Sequence, residues 1–372
     1  MKSSYRLLLA FTRKVTPGFF LLFSFSSLKA QNVFNGLEPL FTTPKSYVIQ
    51  HTDAVPNIDG NLDDAAWQKA QWTEDFVDIE GSLKPLPTFR TQVKMLWDDS
   101  TLFIAAKLQE PNVWAIQTHH DDIIFKDNDF EIFIDPNNTT HQYDEIEVNA
   151  FNKIFDLFLS KSYRNQGNPF IGWDVSGLQS AVKIDGTLNN AGDEDKGWTI
   201  EMAIPLKSIR TGFTKTVKEG ELWRINFSRV EWDTKVVNGK YVKLTDVKGK
   251  NLPEHNWVWS PQGIIDMHYP ERWGYLLFTR KENTQFSLPD EESQRQYLWL
   301  IYYRQKEYQR KNGKYALALN DLGSNPKQTV KGKDVRLAMQ ATERQFTATV
   351  AIDGQYVILI NDEGLIKSTV NK

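Results

Sequence analysis

The chain has 372 residues, 13% of them aromatic, and no cysteine, which excludes disulfides, thiolate metal sites and a cysteine-linked lipid anchor. A formal charge of −3 at pH 7, with lysines and glutamates mixed along the chain, gives no basic stripe for nucleic acid. A chain of this length without disulfides must hold itself together through its core, and its aromatic residues supply a large one.

Residues 1–30 read as a secretory signal: Lys2, Arg6, Arg13 and Lys14 are basic, Phe19 to Phe25 is an apolar core, and Leu28-Lys29-Ala30 resembles a cleavage site. The apolar run Val15 to Leu28 contains Pro17 and falls short of the ~20 residues a span needs, so removal is expected and an uncleaved anchor is the alternative. The expected location is secreted or periplasmic, with no stable membrane insertion once the signal is gone. Residues 31–45 form a leader, and Tyr47 to Gln50 a first strand. In IDGNLDDAAW (58–67), Asp59-Gly60 signals a turn, and Asp63 or Asp64 is positioned to cap a short helix through Trp67 to Ala70.

Thr91 to Trp97 and Leu102 to Leu108 alternate about Asp98-Asp99-Ser100 and predict a hairpin. His119-His120-Asp121-Asp122 offers metal-ligand types, but neighbouring side chains of an extended chain point apart, and a solvated loop is the better reading. The stretch DNDFEIFID (127–135) sets Phe130, Ile132 and Ile134 against Asp129, Glu131, Phe133 and Asp135. EIEVN (145–149) likewise sets Ile146 and Val148 against Glu145, Glu147 and Asn149. A hairpin with one core face and one face presenting carboxylates and amides follows. Phe151 to Leu159 continues as strand, and Lys161 to Gly177, with Phe170 and Trp173, is a long loop of the kind that serves a site. Trp198 to Ile204 is a strand ended by Pro205. Gly220 to Glu231 is another, with Arg224, Asn226 and Ser228 opposite Trp223, Ile225 and Phe227. Strands recurring without long amphipathic helices predict an all-β, jelly-roll-like β-sandwich over residues 46–280.

The composition shifts after residue 280: of the twelve tryptophans, only Trp299 lies beyond Trp273. Pro289-Asp290-Glu291-Glu292 opens a helix that carries Tyr297, Leu300, Ile301 and Tyr308 at helical spacing and ends at Asn312-Gly313. Gln345 to Ile352 and Tyr356 to Ile360 are strands about an Asp353-Gly354 turn, so residues 285–372 form a small α+β module, read as a packing or docking element. Within it, YRQKEYQRKNGKYALALNDLG resembles the globular part of type IV pilin-like proteins, without the long apolar helix that pilins polymerise through.

The motifs IDGNLDDAAW, VKMLWDDSTLFIAAK, KDNDFEIFID, EVNAF, GWTIEMAIPLKSI, GELWRINFSRVE, Trp259-Ser260-Pro261 and PERWGYLLF occur in the order seen in family 9 carbohydrate-binding modules. The resemblance covers roughly residues 47–279. It implies a non-catalytic β-sandwich that holds ends of plant-type glucans or xylans between two aromatic rings, with structural calcium nearby. It places the clamp at Phe125 and near Met267 and His268, and the hydroxyl partners at Asp129, Glu131, Glu147 and Asn226. Calcium is expected on Asp127, Asp129 and Glu131. The sequence departs from the family where Phe125 stands for a tryptophan, where Met267 and His268 stand for the second ring, and where Glu147 stands for a basic residue. Trp114, Trp173 or Trp232 could supply a replacement ring.

The expected function is carbohydrate binding in carbohydrate catabolism, with a partner glycosidase or docking through the C-terminal module. Two alternatives come from other classes. Glu131 and Glu147 could be the carboxylate pair of a glycoside hydrolase. A haem-binding or partner-docking sandwich is the other, although the adjacent Met267 and His268 could not both reach one iron.

Overall fold

The computed structural model describes residues 34–210, 216–330, 333–352 and 356–370. The signal-like residues 1–30 and the Asp353-Gly354 turn lie outside them. Among the described residues no helix is long and apolar enough to cross a membrane.

After a 3-10 turn at Glu38–Phe41, β1 (Ser46–His51) enters the sheet. Gly60, at φ +86°, makes the expected turn, but only a 3-10 turn, Trp67–Lys69, follows it. The cap expected of Asp63 or Asp64 does not form, because the Asp64 carboxylate turns back to accept the Asn57 N–H at 2.7 Å. Trp67 is pinned instead by Glu201, which accepts its indole N–H at 2.6 Å and the Gly60 N–H at 2.7 Å.

Two-residue β2 (Val77–Asp78) precedes the predicted hairpin, β3 (Thr91–Trp97) and β4 (Thr101–Gln109). Asp98 Oδ1 closes its turn on the N–H groups of Ser100 and Thr101, at 2.7 Å each. The acidic hairpin forms from β5 (Asp129–Asp135) and β6 (His141–Asn149), with Glu131 directly opposite Glu147 and Asp129 opposite Asn149. The following strand, β7 (Ile154–Lys161), starts later than the apolar run suggested. Asn149 Oδ1 accepts the N–H groups of Phe151 and Lys153 and folds those residues into a turn.

The long loop after β7 contains a 3-10 turn at Tyr163–Asn165 and the short β8 (Pro169–Phe170). Then come β9 (Gln179–Asp185), β10 (Gly197–Pro205), the one-turn α1 (Leu206–Ile209) and β11 (Leu222–Glu231). A separate two-stranded hairpin, β12 (Thr234–Val237) with β13 (Lys240–Lys243), precedes β14 (His255–Val258) and β15 (Gly274–Thr279).

The large sheet follows one path, β8-β7-β6-β5-β11-β15-β1-β3-β4-β10-β9, with β14 joining β11 to β2. It curls so that its two ends face each other. Phe130, Ile132 and Ile134 of β5 share one core with Ile104 of β4 and Ile200 and Met202 of β10. Burial of each such side chain stabilises the fold by roughly 1.5–3 kcal/mol. β1 links the layers, pairing in parallel with both β15 and β3. This is the all-β sandwich expected from the alternating strands.

The C-terminal module has its own core. The helix α2 (Glu292–Asn312) ends where Gly313 adopts φ +73° and donates to the Gln309 carbonyl. It lays Leu298, Ile301 and Tyr302 on a five-stranded meander: β16 (Lys327–Val330), β17 (Lys333–Ala341), β18 (Phe346–Ile352), β19 (Tyr356–Asn361) and β20 (Ile366–Val370).

Residues from Gly36 onward gather into one compact unit, and the module grips the sandwich beside β7. Arg164 makes a two-pronged ion pair with Glu271 (2.7 and 2.8 Å) and lies 3.9 Å above the Tyr269 ring, while the Tyr303 hydroxyl donates to the same Glu271. Tyr302 donates to Asn165 Oδ1 at 2.7 Å, and Thr140 donates to the Gly364 carbonyl at 2.6 Å.

Candidate functional site

Alternation puts Asp129 and Glu131 of β5 and Glu145 and Glu147 of β6 on the face away from the main core, the face expected to present carboxylates and amides. The structure buries them: Asp129 is 0%, Glu131 6% and Glu147 3% exposed. The same face carries Phe133, Tyr143, Leu157 and Trp273, which form a second apolar cluster with Met267. Asp129, Glu131 and Glu147 converge so that one carboxylate oxygen from each lies within 4.8 Å of the others.

Such crowding shifts all of these groups one way. Burial pushes the Glu131 carboxyl up to about 7. Burial and then the neighbouring Glu131 hold Asp129, Glu145 and Glu147 well above the usual carboxylate range. Hydrogen bonds fix part of the set: Glu147 Oε2 accepts the Phe125 N–H at 3.0 Å, and Asp129 Oδ1 accepts the Val230 N–H at 3.2 Å. Asp129 Oδ2 and Glu145 Oε2 have no hydrogen-bond partner among the described residues. A retaining or inverting glycosidase needs one carboxyl raised and its partner ordinary. Here burial raises both Glu131 and Glu147, so neither is held in the ordinary carboxylate range.

Two exposed rings border this acid floor. Phe125, 41% exposed, is the middle residue of the 3-10 turn Ile124–Lys126 and is braced by Trp232, whose indole donates to the Phe125 carbonyl at 2.9 Å. Lys243 lies 3.3 Å above the Trp232 ring, and burial lowers its ammonium to about 8. Tyr163, also 41% exposed, stands edge-on to His268 at 4.4 Å. Glu145 and Glu147 both act on the Tyr163 hydroxyl, which burial first raises to about 12. In the sequence, Phe170 and Trp173 are the more conspicuous rings of that loop. The available signal for Tyr163 was its position at the start of the long loop, next to an arginine.

Several expected site residues have other work. Asn226 is buried and engages Ser260 with both ends of its amide, donating to its carbonyl and accepting its N–H, each at 2.9 Å, and so braces the Trp259-Ser260-Pro261 segment. Met267 is buried in the second apolar cluster, and its carbonyl accepts the Trp273 indole N–H at 2.8 Å. His268 is a support for Tyr163: its Nδ1 meets the Tyr143 hydroxyl at 2.9 Å and its Nε2 lies 3.8 Å from Glu145. Burial and then Arg164 lower it to about 3, so it is neutral at pH 7. With these engagements, the Met267–His268 pair offers nothing to a haem iron.

Asp127 is not one of the three converging carboxylates, though its charge acts on Asp129 and its buried Oδ1 has no hydrogen-bond partner among the described residues. Its Oδ2 accepts from the N–H groups of Ile116 and Gln117 and from Asn149 Nδ2, all at 2.9 Å. Of the replacement rings, Trp114 is buried and Trp173 packs against the main core, which leaves Trp232 at the rim.

A family model described as carbohydrate family 9 binding domain-like matches residues 58–276, more than half of the chain. No curated protein matches it. Among solved structures it is similar to a family 9 carbohydrate-binding module from Caldicellulosiruptor kristjanssonii in complex with cellotriose, at 15% identity and a TM-score of 0.41, over 66% of this chain and 100% of that one. The same organism's family 9 module in complex with glucose aligns at 14% identity and a TM-score of 0.42, over 65% of this chain and all of its own.

Proposed function

Because the chain belongs to the carbohydrate family 9 binding domain-like family, we propose that it is a non-catalytic carbohydrate-binding protein whose site is the acid floor between Phe125 and Tyr163. The observation that carries this reading is the convergence of Asp129, Glu131 and Glu147 beside two exposed rings. A pyranose has apolar C–H faces that pack on aromatic rings, and hydroxyls that donate to carboxylates. The substrate class is a plant-type polysaccharide or oligosaccharide, taken at a chain end or another accessible sugar. One or two stacked rings with charged hydrogen bonds support micromolar to millimolar affinity, roughly 4–8 kcal/mol. The protein would work outside the cytoplasm, secreted or periplasmic, in carbohydrate catabolism, with residues 1–30 as its signal.

Calcium belongs to the same reading. The donor set is entirely carboxylate, and Asp129 Oδ2 is buried without a partner among the described residues, which suits a hard cation. Asp129, Glu131 and Glu147 would hold it, with Glu147 in the place first given to Asp127. A bound ion would offset most of the trio's negative charge and order its oxygens for sugar hydroxyls.

Calorimetry of the full chain against glucans, xylans and their oligosaccharides, with calcium or with chelator, tests the proposal. Binding to at least one sugar, weakened in Phe125→Ala and lost in Glu131→Gln, is the expected result. Silence across the panel would sink the sugar reading, and sugar release abolished by Glu131→Gln would replace it with catalysis.

A further inference from the structure

The side chains of the loop motif His119-His120-Asp121-Asp122 do not by themselves make a ligand set, because neighbours in an extended chain diverge. Folding supplies what the motif lacks. Asp156, from the middle of β7, and Asp174, from the loop before β9, come to His120 and Asp121, so that one ligand atom from each of the four lies within 4.8 Å of the others. His120 Nε2 is 2.8 Å from Asp174 Oδ1, 3.7 Å from Asp121 Oδ1 and 3.9 Å from Asp156 Oδ1. Separations of about 3–4 Å are those of atoms that each sit about 2 Å from one shared cation.

Two further observations point to a ligand. Asp156 is 1% exposed and its Oδ2 is held by the Val175 N–H at 2.6 Å, yet its Oδ1, turned toward His120, has no hydrogen-bond partner among the described residues. Asp121 Oδ1 is likewise buried and without one. An unpartnered buried carboxylate oxygen is costly, and two beside one imidazole call for a positive charge between them. The other face of the ring is also arranged: His120 Nδ1 is 3.0 Å from the Ile154 carbonyl. A carbonyl can only accept, so Nδ1 carries the proton and, in the neutral ring, Nε2 presents its lone pair to the carboxylates. This outer hydrogen bond is how metal-binding imidazoles are fixed.

We propose that His120, Asp121, Asp156 and Asp174 form a site for one divalent transition-metal cation of the zinc or manganese type. One imidazole and three carboxylates make a mixed nitrogen–oxygen set, which favours these ions over calcium. The site is distinct from the acid trio, with which it shares no residue. Its ion ties the 119–122 loop to β7 and to the loop ahead of Val175, a cross-link in a chain that has no cysteine. The rival occupant of the same space is the ring's own second proton, since the hydrogen bond to Asp174 favours the imidazolium.

Equilibrium dialysis of the chelator-stripped full chain against zinc chloride and manganese chloride at pH 7 decides between them. The expected result is one ion per chain that is lost, or bound at least tenfold more weakly, in His120→Ala and in Asp156→Asn. His120 lies at the surface, so its variant keeps the fold even if Asp156→Asn does not. Ring nitrogen spectra give an independent readout: added metal should shift the His120 Nε2 resonance and abolish its titration. No uptake, uptake equal in His120→Ala, or a His120 ring that titrates identically with and without metal would each overturn the proposal.

Discussion

Replacing Glu131 by glutamine should make the metal-free protein more stable at neutral pH. A carboxyl whose folded pKa lies above its unfolded value binds more protons in the native state, so stability present at low pH is lost as pH rises between the two values. For Glu131 that window runs from 4.5 to about 7. At about 1.4 kcal/mol per pH unit, ionising this one group costs about 3 kcal/mol by the top of the window. Glutamine keeps the shape and removes the charge. It also relieves Asp129, Glu145 and Glu147, each of which is raised in part by Glu131. Urea denaturation in chelator should therefore show the variant matching the parent near pH 4 and exceeding it by about 3 kcal/mol at pH 7.5. Calcium added at pH 7.5 should stabilise the parent and have little effect on the variant. A gain that does not vary with pH, or parent stability that rises from pH 5 to pH 7.5, would refute the account of a carboxylate forced to ionise in a low-dielectric cluster.

Other substitutions separate site from scaffold. Arg164→Met should cost about 3–5 kcal/mol, because it strands the buried Glu271; it should also weaken sugar binding through the adjacent Tyr163, as calorimetry beside urea denaturation would show. Phe125→Ala removes an exposed ring, so calorimetry should show a loss of roughly 0.5–1.5 kcal/mol of affinity with the melting temperature unchanged. Gly274→Ala would place a methyl carbon 2.3 Å from the Trp259 ring; thermal melting should report a loss of about 1–3 kcal/mol or more.

The hairpin of β5 and β6 was readable because period-two alternation assigns each residue a face. The same rule misjudged what lay above that face. Alternation says which way Glu131 points, and says nothing of the loops that fold over it. The segment around Phe125, the Tyr163 turn and the stretch from Pro261 to Trp273 supply that cover, and each is irregular chain with no period to read. Asn226 looked like a ligand for a related reason: its face was inferred correctly, while its partner Ser260 was visible only in three dimensions. Asp156 is a signal of another kind, a lone polar residue in the otherwise apolar IFDLFL (154–159). In the C-terminal module the helix and two strands were readable, whereas β16, β17 and β20 carry lysines and polar residues that blur their alternation.

The parallel pairing of β1 also sets an order of events during synthesis. Ser46 pairs with Tyr275 and Gln50 with Thr279, so the first strand of the sandwich must wait for its last before its edge is covered. Closing so long a loop is entropically costly, and non-local pairing of this kind is slow. Until β15 has left the ribosome, the two layers have no seam, and the nascent chain exposes strand edges that invite association with other chains. A translation product stopped before Gly274 is accordingly expected to behave as an aggregation-prone fragment and not as a smaller sandwich, with holdase chaperones its natural company until the final strand arrives.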